Sequence, residues 1–221
     1  MAHKDEFKHD VVRESIVSAI GFMKINKTAI IRYTTIVVVA ALLLIAYNNH
    51  NQKNTAFANE EFGKAVNAFI DGNSDLALID LQSVIDNYSG KPSSLNARLY
   101  LIQNEVKNKE YALADENIEY IIDNSDNPQI LSSMWFLKGN IAFTQGDNDN
   151  CQKYYEKAIK LQSLSSLADE YRVGLARLFM VQNQLEQAKT ILDEVLENTD
   201  IRFNVKNEVE DLLAEVSFRL E

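Results

Sequence analysis

The stretch WFLKGNIAFTQGDNDNCQKYYEKA, residues 135–158, decides the fold predicted for this chain. Two helix-length pieces flank the polar joint at residues 146–148. Cys151, Tyr155 and Ala158 follow at helical spacing on one face of the second piece. A helix pair of this kind buries only part of its apolar surface, so it needs a neighbouring pair stacked against it.

The same pattern recurs every 37 residues. Small residues are followed at fixed intervals by bulky apolar ones, in four columns: Ala77, Ala114, Cys151 and Ala188; Leu81, Ile118, Tyr155 and Leu192; Val84, Ile121, Ala158 and Val195; Ile85, Ile122, Ile159 and Leu196. No alternating apolar pattern typical of strands is present. The sequence therefore predicts an all-α solenoid of about four helix pairs, closed by a final helix over about residues 202–219. That helix is predicted to be a solubilising cap, with a dimerisation helix as the alternative.

The column of small residues has a steric explanation. Where the two helices of a pair cross closely, a side chain larger than Ala or Cys would push the backbones apart. We therefore interpret Cys151 as a small packing residue and not as a reactive thiol.

The repeat resembles the tetratricopeptide repeat (TPR) family. Its third copy carries that family's W, G, G, A, F and A positions as Trp135, Gly139, Gly146, Cys151, Tyr155 and Ala158. The family's usual period is about 34 residues. The longer period here implies longer joints or helices, and the first copy, with Ala65, Gly72, Ala77 and Leu81, is degenerate.

Composition excludes several other classes of protein. Seven Gly and two Pro in 221 residues are too few for a turn-rich β fold or a glycine-rich nucleotide loop, and one Cys excludes an internal disulfide. Residues 51–221 hold sixteen Lys/Arg against twenty-eight Asp/Glu, a net charge of -12. An acidic domain of this kind is a poor partner for nucleic acid.

The chain offers little catalytic chemistry. Its histidines, His3, His9 and His50, all precede the repeats, so a Ser-His, Cys-His or histidine-metal site is not expected within the repeat domain. The many carboxylates lie at positions that suit solvated helix faces. We therefore expect no enzyme activity, no cofactor and no bound metal.

Residues 29–47, AIIRYTTIVVVAALLLIAY, form a candidate transmembrane helix. Nineteen residues at helical rise span about 28 Å, close to the hydrocarbon thickness of a bilayer. Arg32 lies one turn from the end, where its side chain can reach the headgroups. A core helix would show a polar face and a cleaved signal peptide a short leading region, so we favour an uncleaved signal-anchor.

The flanking charges predict the orientation of this helix. Arg13, Lys24, Lys27 and Arg32 lie on its N-terminal side, and no Asp or Glu occurs between Glu14 and Glu60. The positive-inside rule therefore predicts a cytoplasmic tail at 1–28, the transmembrane helix at 29–47, a linker at 48–56 and a TPR-like domain at 57–221 on the far side, which is the periplasm in a bacterium. The expected location is the inner (plasma) membrane, crossed once.

Residues 11–23 place an apolar stripe on one side of a further helix. A membrane-proximal helix lying on the headgroups and a docking peptide for a cytoplasmic partner both fit this pattern.

The TPR resemblance implies a concave surface lined by the first helix of each pair. Three columns are placed there: Phe62, Leu99, Phe136 and Val173; Gln103, Asn140 and Arg177; Phe69, Val106, Phe143 and Met180. The polar column has no evident packing role, so a protein-binding groove formed by Gln103, Asn140, Arg177, Phe136 and Phe143 is predicted.

The whole layout resembles the ancillary subunit family of the bacterial SecYEG translocon. The resemblance implies an anchored adaptor that binds translocon subunits and links them to periplasmic chaperones. The alternative is a TPR scaffold of an envelope-assembly or cell-division complex.

Overall fold

A computed structural model of the chain describes residues 11–162 and 166–221. Those residues form ten helices and no strand. The helices are α1 (Val11–Ile25), α2 (Lys27–Ile70), α3 (Ser74–Asn87), α4 (Pro92–Lys107), α5 (Tyr111–Asn124), α6 (Pro128–Gln145), α7 (Asn148–Leu161), α8 (Ser166–Val181), α9 (Leu185–Leu196) and α10 (Phe203–Leu220). The chain divides into two compact units, Met1–Ala56 and Phe57–Glu221.

The first unit contains α1 and most of α2. By length and composition, α2 is the one helix among the described residues that could cross a membrane, with a mean hydropathy of 2.3 in its most apolar window. A signal sequence near an N-terminus passes the same test. Within the apolar stretch, the Thr35 hydroxyl donates to the Ile31 carbonyl (2.8 Å), so this polar group has a partner inside its own helix.

The predicted linker at 48–56 is helical in the structure and continues α2 without a break. This segment contains neither Pro nor Gly, the residues that end helices. Its polar side chains bond along the helix, as between Asn54 Nδ2 and His50 Nε2 (3.1 Å) and from Thr55 Oγ1 to the Asn51 carbonyl (2.9 Å). The linker is therefore a helical continuation of α2.

The second unit is the predicted solenoid. The end of α2 shares a core with α3 and α4, and the pairs α4–α5, α6–α7 and α8–α9 follow in chain order. The closing helix α10 buries Val205, Val209 and Val216 in the same core as α8 and α9. The predicted all-α solenoid is confirmed, and α10 packs on its last pair.

The residues of the small column are all buried inside the solenoid. Ala77, Ala114, Cys151 and Ala188 are all 0% exposed. Gly139 lies against the second helix of the third pair, because a Cβ added there would stand 2.4 Å from two ring carbons of Tyr155. Small side chains therefore let the helices of a pair approach closely.

The turn within each pair repeats as well. At Gly72, Lys109, Gly146 and Asn183 the backbone is left-handed, with φ of 82°, 62°, 76° and 59°. The following amide closes back on the carbonyl five residues earlier, as from Asp147 N to Ala142 O (2.9 Å). This is the hydrogen bond of a Schellman helix end, and it recurs with the same period as the core columns.

These turns predict opposite effects for two substitutions. Lys109→Gly should raise the free energy of unfolding by about 1 kcal/mol and Gly146→Ala should lower it by a similar amount, because a side chain disfavours left-handed backbone. A Cβ at Gly146 meets no atom within 4 Å, so its effect is that of the backbone alone. Urea unfolding of the full chain in detergent micelles, followed by circular dichroism, measures both. Shifts of the two midpoints in the same direction would contradict this account of the turns.

Candidate protein-binding groove

The first helices of successive pairs lie side by side. Helix α6 contacts α8, and α8 contacts α10, so these helices line one face of the solenoid. Stacked helix pairs of this kind curve to give a concave binding surface. The three predicted columns lie on these first helices.

Phe136 is held in the packing between the third and fourth pairs. Its ring centroid lies 5.2 Å from that of Tyr155 and 4.6 Å from that of Tyr171. A Cβ added at Gly174 would approach the Phe136 ring to 2.9 Å, so the fourth pair closes directly over this ring. The residue is therefore part of the wall that supports the groove.

Two residues of the polar column have partners in the structure, and for Asn140 the partner is a buried residue of its own pair. Asn140 Oδ1 accepts a hydrogen bond from the Tyr155 hydroxyl (2.7 Å). Burial raises the pKa of that hydroxyl, which therefore remains a donor. Arg177 forms an ion pair with Glu208 of α10 (2.9 Å). Gln103, the third member, is exposed.

The structure brings Phe143 and Arg177 together with Met180 around a cavity of about 370 Å³. Val181 and three residues of α10, namely Leu212, Glu215 and Arg219, complete its lining. The cavity is apolar at Phe143, Met180, Val181 and Leu212 and charged at the three remaining positions. We call it the groove pocket. A pocket with apolar walls and a few polar groups is the usual form of a site that takes an apolar side chain.

The contribution of α10 to this pocket was missed in the sequence. Adding the repeat period to Arg177 and Met180 gives positions 214 and 217, which lie among Leu212, Glu215 and Arg219. Helix α10 thus continues the series of first helices, although no second helix follows it among the described residues. The period itself was the signal that could have identified it.

Hydrogen bonds from Arg219 tie α10 to the end of α8. Arg219 donates to the Met180 carbonyl (3.1 Å) at the end of α8 and to Asn183 Oδ1 (3.3 Å). It also pairs with Glu215 (3.3 Å) on its own helix. A cation at the C-terminal end of a helix is favourable because the carbonyls there carry partial negative charge. The cap and the fourth pair therefore hold the pocket walls together.

A second cavity, of about 280 Å³, lies between α5, α6 and α7. It is lined in part by Lys138, which is 5% exposed and pairs with Asp115 (2.8 Å) and with the Glu119 carboxylate. Burial disfavours the charge on Lys138, but the two carboxylates outweigh it and raise the pKa of the amine. Asp115, Asp147 and Asn150 also line it, so this cavity is more polar than the groove pocket and is the weaker candidate for a site that takes an apolar side chain.

The described residues contain no group of His, Cys, Asp and Glu side chains that could hold a metal ion. His50 lies on α2, and His3 and His9 lie outside the described residues. Cys151 is fully buried, and burial raises the pKa of its thiol from 9.0 to about 11. The groove itself offers packing and hydrogen bonding.

These helices define an α-solenoid with a groove and a pocket on one face. The sequence matches the family of the tetratricopeptide repeat-like domain over residues 21–135, just over half of the chain, and the tetratricopeptide repeat over residues 132–163. The chain belongs to the tetratricopeptide repeat-like domain family. TPR domains are generally non-enzymatic scaffolds that bind other proteins.

Three solved structures have a similar fold. One is from a functional characterization of Pseudomonas aeruginosa pilF, with a TM-score of 0.54 and 18% identity over 72% of this chain and 68% of that one. The APC/C hetero-tetramer Cut9-Hcn1 has a TM-score of 0.55 and 16% identity over 72% of this chain and 29% of that one. The MamA protein has a TM-score of 0.51 and 12% identity over 74% of this chain and 86% of that one. Such low identities support the fold alone. Among curated proteins, none matches the chain.

The environment of Cys151 predicts slow thiol chemistry. A pKa of about 11 instead of 9.0 leaves about a hundredfold less thiolate at pH 8, and burial blocks access to what remains. Alkylation by iodoacetamide at that pH should therefore be at least about 100-fold slower in the folded full chain than in urea. Mass spectrometry of timed samples measures both rates. Equal rates in the two states would show that the thiol is accessible.

Proposed function

We propose that this protein is a membrane-anchored scaffold that binds a segment of another protein along the groove. The observation that carries the proposal is the groove pocket, where apolar walls from α6, α8 and α10 meet. Its volume of about 370 Å³ suits one large apolar side chain of a bound segment. Gln103 and the side-chain NH2 group of Asn140 lie along the same column. In this proposal they form hydrogen bonds with the backbone or side chains of the bound segment.

The anchor in this proposal is the apolar part of α2, at residues 29–47. The basic residues on its N-terminal side support an orientation with 1–28 in the cytoplasm and 57–221 on the far side of the inner membrane. Anchoring would hold the groove close to proteins of the same membrane, which raises their effective concentration at the groove.

The proposed partners are translocon subunits and periplasmic chaperones. The basis is the layout of the chain, a short N-terminal tail, one apolar helix and a small acidic TPR domain, which resembles the ancillary subunit of the SecYEG translocon. The net charge of -12 over residues 51–221 favours neutral or basic segments as the bound chain.

One substitution in the pocket tests the binding site. Val181 is 65% exposed and lines the pocket, so Val181→Glu should leave the fold intact while placing a carboxylate against the bound apolar group. We expect capture of translocon subunits from solubilised membranes to fall at least about tenfold, which corresponds to about 1.4 kcal/mol. Quantitative mass spectrometry of the captured proteins measures the loss.

The matched control is Ile79→Glu on α3, a second helix of its pair, where the side chain is 66% exposed. It adds the same charge at the same exposure and should leave capture unchanged. An equal fall in capture for both variants would show that the groove pocket is not the binding site. Capture of neither translocon subunits nor chaperones by the unsubstituted chain would overturn the proposed partners, and enrichment of division or envelope-assembly proteins would support the alternative scaffold.

A further inference from the structure

We propose that α1 lies flat on the lipid headgroups of the membrane that holds the anchor; this rests on the proposed function. Helix α1 carries an apolar stripe formed by Ile16, Ala19, Ile20 and Met23, which repeats at helical spacing. The stripe is exposed to solvent: the exposed fraction is 55% for Ile16, 44% for Ile20 and 51% for Met23. An apolar stripe of four residues left in water is costly, so it requires a covering surface.

The charges of α1 match a phosphate layer. At 100° per residue, Arg13 and Lys24 lie along one edge of the stripe, beside Ile20. Glu14 and Ser18 lie on the side opposite the stripe. Basic side chains at the edge of an apolar stripe extend to anionic headgroups while the stripe enters the boundary of the acyl chains. The acidic group is then directed to water.

The chain around Asn26 keeps α1 next to the bilayer. Helix α1 ends at Ile25 and α2 begins at Lys27, so only Asn26 separates them. Four residues at helical rise separate Ile25 from Ala29, the first residue of the apolar stretch, a distance of about 6 Å. The lipid surface is therefore always within reach of α1, whereas a soluble partner would have to be recruited.

Asn26 is the position at which a flat α1 would bend away from α2. It belongs to neither helix, and its side-chain amide donates to the Phe22 carbonyl (3.1 Å). The Phe22 carbonyl also accepts from the Asn26 backbone amide (3.0 Å), and the Ile30 amide donates to the Asn26 carbonyl (2.9 Å), so α1 and α2 meet at this residue. Phe22, 63% exposed, lies next to Ala19 at the other edge of the stripe and adds apolar surface near the end closest to the bilayer.

The test uses nitroxide labels in the full chain, reconstituted in vesicles of phosphatidylcholine with phosphatidylglycerol as the minor component. In a C151A background, single cysteines are introduced as I20C on the stripe, S18C on the opposite side and V38C in the apolar stretch of α2. Ala occupies the position of Cys151 in the second and fourth repeats, so the background should fold. Relative accessibility to oxygen and to a water-soluble nickel complex gives the depth of each label.

We expect the I20C label about 5–10 Å below the phosphates, the S18C label in water and the V38C label in the hydrocarbon. A water-exposed I20C label with V38C in the hydrocarbon would overturn the proposal for α1 and leave the anchor in place. A water-exposed V38C label would overturn the anchor and, with it, the proposal for α1. Protection of I20C that needs added cytosolic protein would also overturn it, since α1 would then be a docking helix.

Discussion

The close approach of two helices within each pair is the constraint on which the solenoid depends. Ala77, Ala114, Cys151 and Ala188 have no exposed surface. In the third pair, Gly139 of α6 lies so close to the Tyr155 ring of α7 that an added Cβ would stand 2.4 Å from it. Because Gly139 has no side chain, the bulky Tyr155 of the partner helix fits against it. The same ring contacts Phe136 of its own pair and lies next to Gly174 of the next pair. The stacking of pairs, and the alignment of the first helices along one face, follow from that geometry.

The helices that line the groove are held in place by side chains of the helices behind them. Tyr155 packs against Phe136 and donates to Asn140, so one residue of a second helix fixes an aromatic and an amide of the groove-lining helix. At the C-terminal end of the groove, two contacts attach α10 to α8. Glu208 of α10 forms an ion pair with Arg177, and Arg219 of α10 donates to the Met180 carbonyl at the end of α8. A helix that served only to cover the apolar surface of the last pair would require neither the ion pair nor this hydrogen bond. Its two roles, closing the core and lining a pocket, support the view that the C-terminal end of the groove is the site of binding.

The period of 37 residues made most of the solenoid predictable, because residue size at a helix crossing is a direct consequence of steric limits. The left-handed turn at Lys109 was harder to see, since the residue type there opposes the backbone that the neighbouring repeats impose. The partners of Asn140 and Arg177 lie on other helices, and their contacts depend on how the pairs are rotated, which spacing alone does not specify. No conformation was predicted for the linker at 48–56, which the structure shows as helix because none of its residues ends one.

The most direct test of the central claim compares Gly139→Ala with Gly63→Ala in the full chain. Both glycines lie inside helices, but a Cβ at Gly139 would stand 2.4 Å from the buried Tyr155 ring, whereas at Gly63 no atom lies within 4 Å. The free energy of unfolding, measured by urea titration in detergent micelles, should fall by about 1–3 kcal/mol for Gly139→Ala because the crossing is overpacked. It should rise by up to about 1 kcal/mol for Gly63→Ala, where only helix propensity changes. A stabilising effect of Gly139→Ala equal to that of Gly63→Ala would contradict a close helix crossing as the basis of this fold.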